Sequence, residues 1–245
     1  EENKNPTAEQ DVEQESEDSG DEGQAQEVLE KQDFVDILAL GDAVNQGLYL
    51  LNEEDPGLIR EGIAALSRIN PGEHTVPQID YNIGVAYLDL GETSDAVLAF
   101  ERATQVDPEF DLAWYNLGTI YEKSGDLDKA YEIYNEGLVH SPKSMQLTAG
   151  KLNVLRKKGE YDRAIFEAKE TLKVSANNLG AYNAIGLIYM QQKRYDEALF
   201  IYNVAVLKPG GNDHPGILAN QGRILYLQND SGAQSRLERA VALEP

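Results

Sequence analysis

An all-α fold, a solenoid of stacked antiparallel helix pairs, is predicted by three observations. The chain repeats itself with a period of 34 residues. Inside each repeat the apolar and small positions recur at three- and four-residue intervals, which places them on one face of a helix. Glycines break three successive repeats in the middle, and prolines close several of them at the end. A period in this range is the signature of a repeat architecture, in which each unit buries its apolar face only against its neighbours.

Rows of 34 starting at Pro77, Asp111, Met145 and Leu179 align without a gap. One column reads Gly84, Gly118, Leu152 and Gly186, and three places on stand Tyr87, Tyr121, Leu155 and Tyr189. These sit in the first helix of each row. Gly91, Gly125 and Gly159 follow where that helix ends, because a left-handed residue costs glycine little. The second helix carries Ala96, Ala130, Ala164 and Ala198, then Phe100, Tyr134, Ala168 and Tyr202, then Ala103, Gly137, Thr171 and Ala205. Pro108 and Pro142 stop it, Ala176 takes that place in the third row, and Pro209 comes one place early in the fourth. The small columns predict a close approach of the two helices in a row. The aromatics at Tyr87, Tyr121 and Tyr189 are expected to fill the space beside them.

The ends are less regular. A fifth row follows a two-residue insertion, with Gly222, Ala233, Ala240 and Pro245 in register. Upstream, a degenerate helical pair is expected, with Gly62 and Leu66 in the small and large columns. The domain reading is a leader over 1–32 and a solenoid over 33–245. The solenoid divides into the degenerate pair 33–76 and repeats 77–110, 111–144, 145–178, 179–212 and 215–245. Leu237 and Val241 on the last helix are expected to stay partly unpartnered, so that the native chain continues or this end packs against another molecule.

Charge is concentrated at the start. The chain carries 43 acids against 21 bases, a net charge of -22. Residues 1–30 hold 12 of the acids and one base, no aromatic residue, and only Ala8, Val12, Ala25, Val28 and Leu29 as apolar groups. So little apolar surface does not offset an ordering entropy of about 1–2 kcal/mol per residue, and a disordered acidic leader is expected. The strong negative charge argues against nucleic acid and against an anionic membrane surface as partners. With no cysteine in the chain, disulfides, thiolate metal sites and Cys nucleophiles are excluded.

The second row, Trp114-x-x-Leu117-Gly118-x-x-Tyr121 with Gly125, Ala130, Tyr134 and Pro142, closely resembles the tetratricopeptide repeat (TPR). The fourth row is similar through Tyr182, Ile185, Gly186, Tyr189, Ala198, Tyr202 and Ala205. The first row has Asp80 where the aromatic opener belongs, and the third keeps Gly159, Tyr161 and Ala164 but has Leu152 in the small column. The resemblance implies a right-handed superhelix whose first helices line a concave face. It also places inner-face side chains at the second, fifth, sixth, ninth, twelfth and thirteenth positions of each row. Candidate partner-binding residues are therefore Tyr81, Asn82, Tyr115, Asn116, Asn153, Arg156, Lys157 and Asn183, with Met190, Asn220, Arg223 and Tyr226 further along. Asn donates and accepts, and Tyr offers rigid contact area, which suits an extended backbone. Each has a structural alternative: Asn bonds neighbouring backbone in such repeats, and Tyr81 and Tyr115 can fill space between repeats. The cluster Arg156, Lys157 and Lys158 suits either a solvated helix C-terminus or a carboxylate-bearing partner.

A subset of the family grips a terminal carboxylate with Lys and Asn on the first helix, Asn on the third, and Lys and Arg on the fifth. Those places hold Tyr81, Val85, Asn116, Gln146 and Gly150 in one frame, and Tyr115, Thr119, Gly150, Gly180 and Ala184 in the next. The third frame gives Ala149, Asn153, Ala184, Gly216 and Asn220, so that clamp is not supported. No nucleophile elbow, Walker loop or metal-spaced His pair is present. The stretch from Gly210 to Gly216 reads as an inserted turn, and His74 and His140 as loop residues. No catalytic residue, cofactor or metal is therefore assigned, and no small-molecule substrate is expected. The expected role is a non-catalytic protein-interaction scaffold that captures a peptide or helix on the concave face. The alternative is an architectural subunit joined through its edges and its C-terminal end. A bacterial cell envelope location is expected, with cytoplasmic residence as the alternative. Any membrane tether would be a lipid on a leader removed ahead of Glu1, a layout similar to TPR lipoproteins of myxobacterial gliding-motility machinery.

Overall fold

A computed structural model describes residues 40–70 and 76–243; the leader, His74 and Pro245 lie outside them. The described residues are helical throughout, with short turns between and no strand among them. The chain divides into two compact units, one reaching to Ile69 and the other starting at Asn70. In the first, residues 40–51 form α1 and Pro56–Ile69 form α2. A Cβ at Gly47 would stand 2.7 Å from Leu66, so α1 and α2 meet across a small residue and a large one.

The second unit is an α-solenoid. Its first helices are α3 (Pro77–Asp89), α5 (Asp111–Ser124), α7 (Met145–Lys157), α9 (Leu179–Gln191) and α11 (Pro215–Leu227). Each pairs with the helix that follows: α4 (Thr93–Val106), α6 (Leu127–His140), α8 (Tyr161–Val174), α10 (Tyr195–Val206) and α12 (Gly232–Leu243). Short polar residues set several starts. Asp126, Ser144 and Asn178 accept from the backbone N–H three residues on, and Pro77 and Pro215 occupy a first turn that needs no donor. The inserted stretch forms a 3-10 turn over Gly211–Asp213, and His214 Nδ1 caps α11 by accepting from the Ile217 N–H at 3.3 Å. His140 ends α6 rather than lying in a loop, and stacks on Trp114 at 6.2 Å between centroids.

Close packing inside a pair rests on the glycine column, but a different aromatic column fills it from the one expected. A Cβ at Gly84 would stand 2.7 Å from Phe100, and at Gly118 and Gly186 it would run into the rings of Tyr134 and Tyr202. Tyr87, Tyr121 and Tyr189 lie on the same helix as the glycine, so the notch it opens toward the second helix is beyond them. A ring on that second helix enters instead. Tyr134 is held on both sides, since a Cβ at Gly150 of the next row would stand 2.6 Å from it. The divergent third row inverts the pair: Leu152 takes the glycine place, Ala168 takes the ring place, and both are fully buried in one cluster. Volume is conserved across the two helices while its source changes side.

The opening aromatic of a row has a structural task too. Trp114 Nε1 donates to the Pro108 carbonyl at 2.9 Å, and the Tyr182 hydroxyl donates to the Ala176 carbonyl at 3.2 Å, an equivalent link in rows two and four. In row one the buried Asp80 replaces it by accepting from Asn70 Nδ2 at 2.9 Å and Arg102 Nε at 2.8 Å. The last pair ends with Leu237 half-buried over Gly222 and Val241 exposed.

Two stability outcomes follow from this geometry. Gly118→Val drives a side chain into the Tyr134 ring and is expected to lower stability by about 1–3 kcal/mol in thermal or urea melts; an unchanged midpoint contradicts the packing. The inter-helix turns carry positive φ at Gly91, Gly125 and Gly159, but the equivalent place in row four is Lys193 at φ 59. Lys193→Gly is expected to raise stability by about 0.5–1 kcal/mol, the steric strain of a left-handed lysine less the extra chain entropy of glycine.

Candidate functional site

The inner positions of three consecutive first helices converge on one groove of about 400 Å³. α5 contributes Tyr115, Thr119, Glu122 and Lys123; α7 contributes Ala149, Gly150, Asn153, Arg156 and Lys157; α9 contributes Gly180, Asn183, Ala184 and Leu187. Tyr134 reaches in from α6 behind them. The floor is made of small residues, which leaves depth between α5, α7 and α9. Tyr115 forms a wall, its ring 6.1 Å from that of Tyr134.

Five of the eight sequence candidates, Tyr115, Asn153, Arg156, Lys157 and Asn183, line this groove. Tyr81, Asn82 and Asn116 do not. Tyr81 packs on Phe100 and Phe110 at 5.7 and 5.2 Å, and its hydroxyl accepts from Asn116 Nδ2 at 3.3 Å. Asn116 also donates to the Leu112 carbonyl at 3.2 Å, so these two side chains tie rows one and two together. The groove residues that sequence reasoning did not single out include Thr119, Glu122 and Lys123. They occupy the ninth, twelfth and thirteenth places of row two, so the inner-face rule had already marked them. Tyr134 had no such mark, because it comes from a second helix.

Glu122 organises the polar groups. Its Oε1 accepts from Asn153 Nδ2 at 2.5 Å and pairs with Lys157 Nζ at 2.8 Å, while Oε2 accepts from the Tyr134 hydroxyl at 3.1 Å. Burial pushes the Tyr134 hydroxyl well above the ordinary tyrosine range; its bond with Thr119 opposes that rise and the Glu122 charge adds to it. It therefore stays a protonated donor across the physiological range. Asn153 Oδ1 accepts from Arg156 Nε at 3.2 Å and Nη2 at 2.7 Å, and Arg156 Nη1 donates to Gln191 Oε1 at 2.9 Å. On α9, Asn183 Oδ1 accepts from Asn220 Nδ2 at 3.1 Å and from the Tyr202 hydroxyl at 3.4 Å. The third member of the basic cluster, Lys158, turns away to Asp128 at 2.6 Å and Glu160 at 2.9 Å. Among the described residues no group of three His, Cys, Asp or Glu side chains could hold a metal ion.

The family model for the tetratricopeptide repeat matches residues 81–144 and 150–215. The chain belongs to that family. It is similar to anaphase-promoting complex subunit 3 of Schizosaccharomyces pombe, 26% identical over 51% of this chain and 19% of that protein. It is also similar to Hsp70-Hsp90 organizing protein 1 of Glycine max, 25% identical over 60% of this chain and 25% of that protein. The chain thus spans a quarter or less of the length of these relatives. Among solved structures, pilF of Pseudomonas aeruginosa shares the fold with a TM-score of 0.56 at 15% identity, covering 84% of this chain and 92% of that one.

Proposed function

We propose that this member of the tetratricopeptide repeat family is a non-catalytic protein-interaction scaffold that captures a peptide or helix in the groove between α5, α7 and α9. The observation that carries the reading is the groove itself: a continuous inner-face depression with a small-residue floor, an aromatic wall and a polar rim. Asn153, Asn183 and Arg156 keep spare N–H donors along it, which suits the carbonyls of a main chain running across the three helices. Its carboxylate, Glu122, is tied to three neighbours, which supports a binding surface rather than an acid–base pair. The architectural alternative has its own support at the far end. Tyr226 and Leu227 at the end of α11 are exposed there beside Leu237 of α12, an apolar patch that suits assembly. The proposed setting is a larger bacterial envelope complex. The acidic, cysteine-free sequence is what supports that setting, and fractionation of the native cells tests it.

Replacing Tyr115 and Asn153 together by Ala removes the wall and one rim amide. Affinity purification with the parent and this double variant is expected to lose the groove-bound partner and keep any partner held through the edges. A partner set unchanged by the double substitution would move the function away from the groove.

A further inference from the structure

The groove differs in charge from the chain that forms it. The whole chain has about two acids for every base, yet the groove is lined by Lys123, Arg156 and Lys157 against Glu122 alone. Two of these cations lack a carboxylate: among the described residues Lys123 makes no ion pair, and Arg156 bonds only the neutral amides of Asn153 and Gln191. Glu122 is engaged through both oxygens, so its own needs are met inside the groove. Arg223 lies further along the same face. Burial raises the Tyr202 hydroxyl, and the bond from Asn220 with the positive fields of Arg223 and Arg156 acts against that rise. The cations of the groove itself thus come from α5 and α7.

We propose that the groove takes an acidic peptide segment, with Lys123 and Arg156 meeting its carboxylates directly and Lys157 shared between Glu122 and the ligand. This rests on the groove reading above and adds the chemistry of the occupant. It differs from the terminal-carboxylate clamp of related repeats. The clamp positions in this groove hold Tyr115, Thr119, Gly150, Gly180 and Ala184, and the cations come from the twelfth and thirteenth places of the rows instead. Distant acids do not oppose such a segment strongly, because at physiological ionic strength their field decays over about 8 Å. A short acidic segment senses the local cations, and a long polyanion also senses the acidic remainder of the surface. The guanidinium donors of Arg156 that Asn153 and Gln191 leave over favour a planar carboxylate.

The test is selection from a random-peptide phage library against the full chain, counter-selected on the Tyr115→Ala, Asn153→Ala variant so that only groove-dependent binders survive. Those binders are expected to be enriched in Asp and Glu. In fluorescence anisotropy the strongest should lose about tenfold or more in affinity with Lys123→Gln plus Arg156→Gln. Neither substitution removes a carboxylate's partner, and circular dichroism verifies that the variant remains folded. Groove-dependent binders that are neutral or basic, or that ignore the two Gln substitutions, overturn the acidic assignment and leave the groove standing. Failure to obtain any groove-dependent binder overturns both.

Discussion

Three of the five helix pairs of the solenoid are held at their spacing by one exchange of volume: a missing side chain on the first helix receives a ring from the second. Gly84 with Phe100, Gly118 with Tyr134 and Gly186 with Tyr202 are three copies of the same fit. Overfilling the notch costs about 1–3 kcal/mol and emptying it of its ring about 3–5 kcal/mol, so the two positions are coupled although they lie on different helices. The rings do more than fill. The Tyr134 hydroxyl passes through to Thr119 and Glu122, and the Tyr202 hydroxyl to Asn183, so core packing also sets the polar pattern of the inner face.

The third row departs from this rule and the groove opens there. With Leu152 and Ala168 exchanging roles, the core stays filled but no ring from α8 reaches the inner face beside Asn153 and Arg156. Those two residues bond to each other and to neighbouring rows instead, through Glu122 and Gln191. Tyr134 fills the place beside Gly150, and Gly180 lets α9 approach Met145 and Ala149 of α7, so the groove opens above a floor of small residues. The groove thus coincides with a local inversion of the packing code, flanked by two rows that keep it.

Much of this was legible in the sequence. The 34-residue period, the glycine breaks and the proline stops identify the helix pairs, because each residue type there has a backbone or steric reason to stand at its place. The inner-face positions were legible from the family pattern, and five of the eight candidates meet in the groove. Two things were hidden by a register argument that treats each helix separately. Tyr87, Tyr121 and Tyr189 looked like the fillers because they stand near the glycines in sequence, while contact across a helix pair is decided by which face the other helix presents. The basic cluster read as one feature but is three: Lys157 joins Glu122, Lys158 joins Asp128 and Glu160, and Arg156 keeps only neutral partners. Partner choice of that kind depends on neighbouring rows about 30 residues away in sequence, which local periodicity does not report.

The link between packing and groove is tested most directly by a crystal structure of the Leu152→Gly, Ala168→Tyr variant, which restores the common pairing to row three. The account requires the new ring to enter between α7 and α8, with its hydroxyl emerging beside Asn153 and Arg156 and the groove correspondingly filled. A ring turned out to solvent on the far side of α8, with the groove unchanged, would contradict it.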